Sequence, residues 1–130
     1  MQKSKITGAA SVLLLALCAF AAGQMPAGVQ SRKSDTGSTV LADAKGMTLY
    51  TFDKDTDGKS ACNGNCAKNW PPLTAETGAT SMGDWTVVTR DDGSKQWAYK
   101  GKALYTWVKD SKPGETTGDG VGKVWHNAVP

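Results

Sequence analysis

Histidine and cysteine are scarce in this chain, which removes most of the usual catalytic arrangements. Its 130 residues contain three cysteines and a single histidine, His126. No Gly-x-Ser-x-Gly motif accompanies the histidine, so the sequence offers no serine–histidine–aspartate set for hydrolysis. Gly118, Gly120 and Gly122 precede Lys123 without the spacing or the Ser/Thr of a phosphate-binding loop. These absences favour a protein without enzymatic activity.

The sequence also lacks an apolar run long enough to span a membrane, which takes about 20 residues. A shorter run, residues 9–22, follows a positive start with Lys3 and Lys5. A charged start, a short apolar segment and small residues after it are typical of a secretory signal peptide. We therefore predict a signal peptide over residues 1–23 and a periplasmic or secreted mature protein.

Net charge is small once the signal peptide is removed. Residues 1–23 hold two of the 15 basic residues and none of the 12 acidic ones, which leaves 13 against 12, a formal charge of +1. Charge therefore gives no support for a nucleic acid or an acidic membrane as partner. Membrane contact would need a lipid on Cys18, the alternative that makes the protein an outer-membrane lipoprotein. The partner is otherwise an unknown envelope component or small ligand.

A ten-residue stretch occurs twice, 55 positions apart. Residues 46–55 read Gly-Met-Thr-Leu-Tyr-Thr-Phe-Asp-Lys-Asp, and residues 101–110 read Gly-Lys-Ala-Leu-Tyr-Thr-Trp-Val-Lys-Asp. The same offset relates Trp70 to Trp125. We predict a duplicated strand–loop–Trp unit, because two copies packed face to face bury what neither buries alone.

Strand and turn signals indicate an all-β fold. Residues 85–90, 95–99 and 102–108 predict a three-stranded antiparallel meander with a hairpin turn at residues 91–94. Shorter strands are expected at residues 39–41, 47–52 and 124–129, with a helical turn at residues 67–70.

The domain prediction follows from this pattern. A mature chain of about 107 residues fits one domain with one modest core. Residues 24–37 are polar and small without an apolar period, which predicts a flexible linker. Residues 38–130 then form a single β domain, a small antiparallel sandwich or barrel-like fold from two tandem pseudo-symmetric repeats at about 38–73 and 85–129.

The duplicated stretch resembles the signature of a known family. Each copy carries a tyrosine, an aromatic residue two positions later and an aspartate three positions further: Tyr50, Phe52 and Asp55, then Tyr105, Trp107 and Asp110. This pattern is similar to the Tyr-x-aromatic-x-x-Asp signature of a family of bacterial secreted repeat proteins of unknown function, many of them predicted lipoproteins. The similarity extends over residues 38–129 and includes the segment from Cys62 to Leu73. It implies an exported repeat protein and supplies no reaction.

The repeated tyrosines, aromatics and aspartates have two interpretations. In the first, they form two equivalent ligand sites, with phenol and carboxylate groups facing a shared groove. Alternatively the aromatics anchor the strands, and each aspartate accepts hydrogen bonds from loop amides. Repeated residues in a duplicated unit often shape the repeat, so the structural interpretation is favoured.

Cys62 and Cys66 have three interpretations. An exported pair usually forms a disulfide, which we favour. A redox-active pair is less favoured, because that chemistry usually has Cys-x-x-Cys spacing in a βαβ setting. The third is a copper site, in which two thiolates and His126 bind a soft metal. At the 55-residue offset the cysteines align with Thr117 and Val121.

A second metal hypothesis concerns calcium. Asp53, Asp55 and Asp57, followed by Gly58, match the start of a calcium-binding loop. The twelfth position, which should be a bidentate glutamate, is Gly64. A solvated acidic turn is therefore favoured over calcium.

Five tryptophans are many for so short a chain. They line a binding face for sugars or peptides, or they fill a small core. The core is favoured for Trp70, Trp107 and Trp125, and Trp85 and Trp97 are left open. The function predicted from the sequence is thus an exported, non-enzymatic envelope domain without a cofactor, a binding or structural module. The alternatives are a periplasmic copper or redox-linked protein and a calcium-stabilised module.

Overall fold

The structure is a computed structural model that describes residues 24–130. The predicted signal peptide and Cys18 lie outside the described residues. Within residues 24–130, seven strands pair antiparallel in three small sheets, β1–β2, β3–β7 and β4–β5–β6. The strands are β1 (Val29–Lys33), β2 (Thr39–Asp43), β3 (Tyr50–Phe52), β4 (Trp85–Thr89), β5 (Lys95–Tyr99), β6 (Lys102–Ala103) and β7 (Trp125–Asn127), with one short helix, α1 (Asn65–Asn69), and a 3₁₀ turn at Val121–Lys123.

The all-β prediction is confirmed, and so is the meander of β4, β5 and β6. The β4–β5 turn is closed by the side chain of Asp92, whose Oδ1 accepts a hydrogen bond from the Ser94 amide at 2.9 Å. Gly93 has a φ of 88°, which glycine adopts without steric cost. The third strand is shorter than predicted, because the chain leaves the meander after Ala103 and Tyr105 pairs with Tyr50 instead.

The N-terminal segment requires a correction. Residues 24–37 were expected to be a flexible linker, but β1 lies within them and pairs with β2 along its full length, from Val29 opposite Asp43 to Lys33 opposite Thr39. Its side chains are mostly exposed, which explains the missing apolar period. An edge strand of this kind is specified by backbone pairing with its neighbour, and the sequence of the strand alone does not reveal it.

The two repeats meet at the equivalent tyrosines. The Tyr50 amide donates to the Tyr105 carbonyl at 2.7 Å, and the Tyr105 amide donates to the Tyr50 carbonyl at 3.0 Å. This reciprocal antiparallel bridge places equivalent residues opposite each other, as a pseudo-twofold axis requires. On the other side of the same segment β3 pairs with β7, so that Phe52 lies opposite Trp125.

The buried side chains form two clusters. One contains Leu41, Leu49, Leu104, Trp85 and Trp97 and extends under β1 and the meander. Trp85 and Trp97 are 2% and 7% exposed, so both belong to this core. The helices that the structure describes are too short and too polar to cross a membrane. The second cluster lies on the pseudo-twofold axis and contains Tyr50, Cys62, Trp70, Ala103, Tyr105 and Trp125.

Candidate functional site

The repeated tyrosines and aspartates pair across the two repeats. The Tyr50 hydroxyl donates to Asp110 Oδ2 at 2.6 Å, and the Tyr105 hydroxyl donates to Asp55 Oδ2 at 2.7 Å. Each phenol therefore uses the carboxylate of the other repeat. Both tyrosines are fully buried, and their hydroxyls are satisfied within the protein.

The second oxygen of each aspartate closes the loop that follows it. Asp55 Oδ1 accepts the Ala61 amide at 2.7 Å, and Asp110 Oδ1 accepts the Thr117 amide at 3.0 Å and its hydroxyl at 2.6 Å. This is the geometry of the structural interpretation of the motif. The phenol and carboxylate groups bond to one another and do not face a shared groove as a ligand site would require.

These hydrogen bonds also correct the alignment of the two loops. Ala61 and Thr117 fill the same role but lie 56 positions apart, so Cys62 matches Gly118 and not Thr117. Gly118 is required at its position, because a Cβ there would lie 2.9 Å from the rings of both Tyr50 and Trp70. At this position one loop thus has Cys62 of the disulfide, and the other loop has a glycine without a side chain.

Burial shifts the pKa values of the phenols and of one carboxyl group in these two hydrogen bonds. It raises the pKa of the Tyr50 and Tyr105 phenols far above their ordinary value, and the neighbouring carboxylates raise both further. Burial also raises the pKa of Asp55, against the opposing effects of the Ala61 amide, the Tyr105 hydroxyl and the charge of Arg90. Both phenols therefore remain neutral donors.

Four aromatic rings form a continuous stack through the second cluster, which we name the four-ring stack: Trp107, Trp70, Trp125 and Phe52. Successive ring centroids lie 3.9, 3.7 and 4.2 Å apart, with interplanar angles of 23°, 2° and 12°. The two inner rings are repeat equivalents, and so are the two outer rings. The edges of Tyr50 and Tyr105 meet the inner rings Trp70 and Trp125 at centroid distances of 5.4 and 5.2 Å.

A buried cation that the sequence prediction missed supports the first loop. Arg90 is 6% exposed, and its guanidinium donates to Ser60 Oγ at 3.0 Å, Gln96 Oε1 at 2.8 Å and the Cys62 carbonyl at 2.7 Å. Ser60 Oγ lies 2.6 Å from the Tyr105 hydroxyl, so the network continues to the motif. No local signal marks Arg90, because its burial comes from a loop that lies about 30 positions earlier in the chain.

The predicted disulfide is present. The Cys62 and Cys66 sulfurs are bonded, and the two Cα atoms lie 5.2 Å apart. Cys62 is fully buried. A bonded pair has no thiolate to offer to a metal, so copper binding requires prior reduction.

The single histidine lies elsewhere. His126 Nε2 is 2.8 Å from Asp53 Oδ2, and both side chains are about half exposed, 47% and 50%. Throughout residues 24–130, no three His, Cys, Asp or Glu side chains come close enough to hold a metal ion. Neither the copper set nor the calcium set, Asp53, Asp55 and Asp57, is thus assembled as a cluster. Metal binding by either set stays a prediction.

A surface depression separates the acidic loop from the β5–β6 turn, and we name it the Lys100 groove. Lys100, one of its lining residues, has a φ of 51° because it is the first residue of the two-residue turn between β5 and β6. Gly101 lies directly beneath the carboxylate of Asp57, because a Cβ on Gly101 would overlap Asp57 Oδ1. The groove is lined by Thr51, Phe52, Asp53, Asp55, Thr56, Asp57, Lys100, Gly101 and Lys102.

Comparison with known families agrees with this duplicated architecture. The family model Lipoprotein_15, described as a secreted repeat of unknown function, matches residues 31–74 and 86–128. The chain belongs to this family. Family membership confirms the resemblance inferred from the sequence and the division into two repeats, and it identifies an exported protein. The chain matches no curated protein and no solved structure.

The two repeats also differ at the edge where β3 pairs with β7. Where the first copy has Asp53 beside His126, the equivalent positions of the second copy are Val108 and Pro71. The backbone contact is the same in both, because the Asp53 amide donates to Val124 and the Val108 amide donates to Asn69. The family scaffold is thus kept, while the Asp53–His126 contact at the edge of the Lys100 groove is present in one copy only.

Proposed function

We propose that the protein is an exported, non-enzymatic binding module of the cell envelope, in which the repeated residues form the scaffold and the Lys100 groove holds the ligand. The observation that carries this proposal is the composition of the groove. It brings two lysines and the exposed carboxylates of Asp53 and Asp57 to one place on the surface, beside the partly exposed ring of Phe52.

The scaffold role of the motif supports a function without catalysis. The motif phenols donate to the motif carboxylates, and the disulfide leaves no free thiol among the described cysteines. A catalytic nucleophile or base needs a group that is free to exchange its proton with the substrate. The motif groups are instead bonded to one another inside the core.

The charges of the groove suggest the ligand class. Lys100 and Lys102 provide ammonium groups opposite Asp53 and Asp57, so groups of both signs face one depression. Such a surface suits a small polar ligand that carries an amine and an acid or hydroxyl groups, with an apolar part against Phe52.

The test is an NMR titration of the mature, oxidised protein with two named probes, glucosamine and D-alanyl-D-alanine. We expect amide shift changes confined to residues 51–57 and 100–102. Lys102→Ala should weaken binding, and so should Lys100→Gly, which keeps the backbone conformation while removing the ammonium group.

Lys45 provides the matched control, because it occupies the position of Lys100 in the other repeat. Lys45→Ala should leave the affinity unchanged. Shift changes that are scattered over both repeats, or equal losses in the Lys45 and Lys102 variants, would contradict a groove site. If neither probe shifts any resonance, a purely structural module becomes the better description.

A further inference from the structure

We propose that the four-ring stack conducts single electrons from the two buried tyrosines to the surface at Trp107, so that the protein acts as a sink for one-electron oxidants. This function is separate from ligand binding in the Lys100 groove. It rests on the ring geometry, on the difference between the two ends of the stack and on the carboxylate next to each phenol.

The path consists of rings in van der Waals contact. Trp107, Trp70 and Trp125 are stacked with centroids 3.9 and 3.7 Å apart, and the two inner rings are almost parallel. Electron transfer between aromatic groups becomes faster as their overlap increases, and no gap interrupts this path. Tryptophan and tyrosine are the protein side chains whose π-systems give up an electron most readily. Tyr105 meets Trp125 edge-on at 5.2 Å, at the far end of this path.

The two ends of the stack are not equivalent, although the repeats are. The outer ring on one side is Trp107, which is partly exposed, whereas the outer ring on the other side is Phe52. Benzene rings are much harder to oxidise than indoles. An oxidant in solution therefore takes its electron at Trp107, and Phe52 closes the opposite end.

Each tyrosine has an acceptor for its proton. Oxidation of a neutral phenol releases a very acidic proton, so it proceeds only where a base receives that proton. Asp55 Oδ2 and Asp110 Oδ2 already accept the hydrogen bonds of Tyr105 and Tyr50 at 2.7 and 2.6 Å. Burial raises the pKa of the Asp55 carboxyl, which makes this carboxylate a better proton acceptor.

An oxygen-centred radical is the oxidant in the complete step. The radical gains one electron from Trp107 and becomes an anion, which leaves an indole radical cation. Trp70 then gives an electron to Trp107, and Trp125 gives an electron to Trp70. Tyr105 then gives an electron to Trp125 while its phenolic proton moves to Oδ2 of Asp55. The products are a reduced oxidant, a neutral tyrosyl radical and a neutral carboxyl group, with all three indoles restored. Tyr50 does the same through Trp70 and Asp110, so one molecule takes up two oxidising equivalents.

The test uses flash photolysis of the mature, oxidised protein with photogenerated ruthenium(III) tris-bipyridine as the one-electron oxidant. Transient absorption and electron paramagnetic resonance should detect tyrosyl radicals in the wild-type protein. Trp107→Phe should lose most of this signal, and the variant is expected to fold because phenylalanine is the residue of the other repeat at Phe52. Tyr105→Phe combined with Tyr50→Phe should abolish the buried tyrosyl signal.

A gain-of-function variant separates this proposal from an effect of misfolding. Phe52→Trp provides a second oxidisable end and should increase the rate of tyrosyl formation. In the Tyr50→Phe background, Asp55→Asn should slow that rate and reduce its dependence on deuterated solvent. Tyr99, the third tyrosine, is outside the stack, so Tyr99→Phe should leave the signal unchanged. The proposal is overturned if Trp107→Phe and Phe52→Trp leave the tyrosyl signal unchanged, or if Tyr99→Phe removes it.

Discussion

Single residues in this protein carry roles that depend on the opposite repeat. Asp55 and Asp110 occupy the same position in their copies, and each closes its own loop while accepting a phenol of the other copy. Their surroundings differ, since within residues 24–130 only the Asp55 side has a buried cation, Arg90, linked through Ser60. A duplicated motif thus supports two unequal electrostatic environments.

Burial of Asp55 predicts that this carboxyl makes a pH-dependent contribution to stability. Its pKa is raised above the value of 3.8 expected for an unfolded chain, so the folded state holds this proton more tightly than the unfolded state. The stability that this carboxyl contributes is therefore fully present below pH 3.8 and is lost as the pH rises through its folded pKa. We expect the free energy of unfolding of the wild type minus that of Asp55→Asn to increase as the pH falls through this window.

Urea unfolding followed by tryptophan fluorescence across the acid range measures this difference. Other carboxyl groups titrate in both proteins and cancel. The same series with Asp57→Asn, at an exposed aspartate of the same loop, controls for the loss of one acidic side chain from this loop. A difference that stays constant or shrinks for Asp55→Asn would show that its folded pKa is not raised.

Of the hydrogen bonds that the motif makes, only the local ones can be predicted from the sequence. The aspartate that accepts loop amides follows from a local rule, since the bond spans only six or seven positions. The crossed phenol partners lie 50 and 60 positions away, and no local pattern indicates them. The burial of Arg90 was missed for the same reason, because two of its partners, Ser60 and the Cys62 carbonyl, belong to a distant loop.

At the scale of elements, the first loop is held by more than its own sequence preference. Helix α1 has five residues and no side-chain cap at its start, and isolated helices of this length are unstable in water. The Cys62–Cys66 bond and the Arg90 contact to the Cys62 carbonyl fix the turn that leads into it. Trp70 follows directly after the helix, so the position of the helix places Trp70 in the four-ring stack.

The disulfide is therefore expected to matter in spite of its short loop. Closing a five-residue loop restricts the unfolded chain by about 2 kcal/mol in the chain-entropy description. We predict that reduction, or the double variant Cys62→Ala with Cys66→Ala, lowers the free energy of unfolding by about this amount. Denaturant unfolding with and without reductant measures the effect, and the double variant should not respond to reductant. An unchanged midpoint in the reduced wild type would contradict a stabilising role.

Element lengths show a second limit of prediction. The residues of the β4–β5–β6 meander were found from alternation and turn chemistry, yet the third strand ends at Ala103 and not at Val108. The chain changes partners there, from the meander to the opposite tyrosine. Strand β1 was missed because its side chains are mostly exposed and only its backbone is paired. In both cases the boundary is determined by the pairing partner and not by the residues of the strand itself.

The whole molecule is organised by contacts between the two copies. The reciprocal Tyr50–Tyr105 bridge, the pairing of β3 with β7 and the crossed phenol–carboxylate bonds all join one repeat to the other. The inner tryptophans of the stack come one from each copy as well. The duplication was visible in the sequence as a 55-residue offset. The contacts that join each repeat to the other were not visible there.

Because so many contacts lie between the repeats, we predict that neither repeat folds alone and that the two fold when they associate. A cut after Thr80 falls in an exposed part of the connector, between the local Ala79–Glu76 hydrogen bond and the Met82–Trp85 bridge. The fragments 24–80 and 81–130 each lose the partner of their buried tyrosine, which leaves phenol and carboxylate groups without hydrogen bonds, at a cost of about 1–3 kcal/mol per group. Each fragment alone should therefore give the circular dichroism spectrum of an unfolded chain.

Mixing the two fragments should restore the native spectrum, including the near-ultraviolet signal of the stacked tryptophans, because every interaction lost by the cut lies between the fragments. Tyr105→Phe in the second fragment should weaken this association, since it leaves Asp55 and Ser60 without their hydroxyl partner. Tyr99→Phe is the matched control and should associate as the unaltered fragment does. A first fragment that folds alone and ignores the second would show that the repeat is a unit in itself, and that the crossed contacts only join two independent folds. The expected dependence of each copy on the other instead makes the pair of repeats the smallest unit that folds.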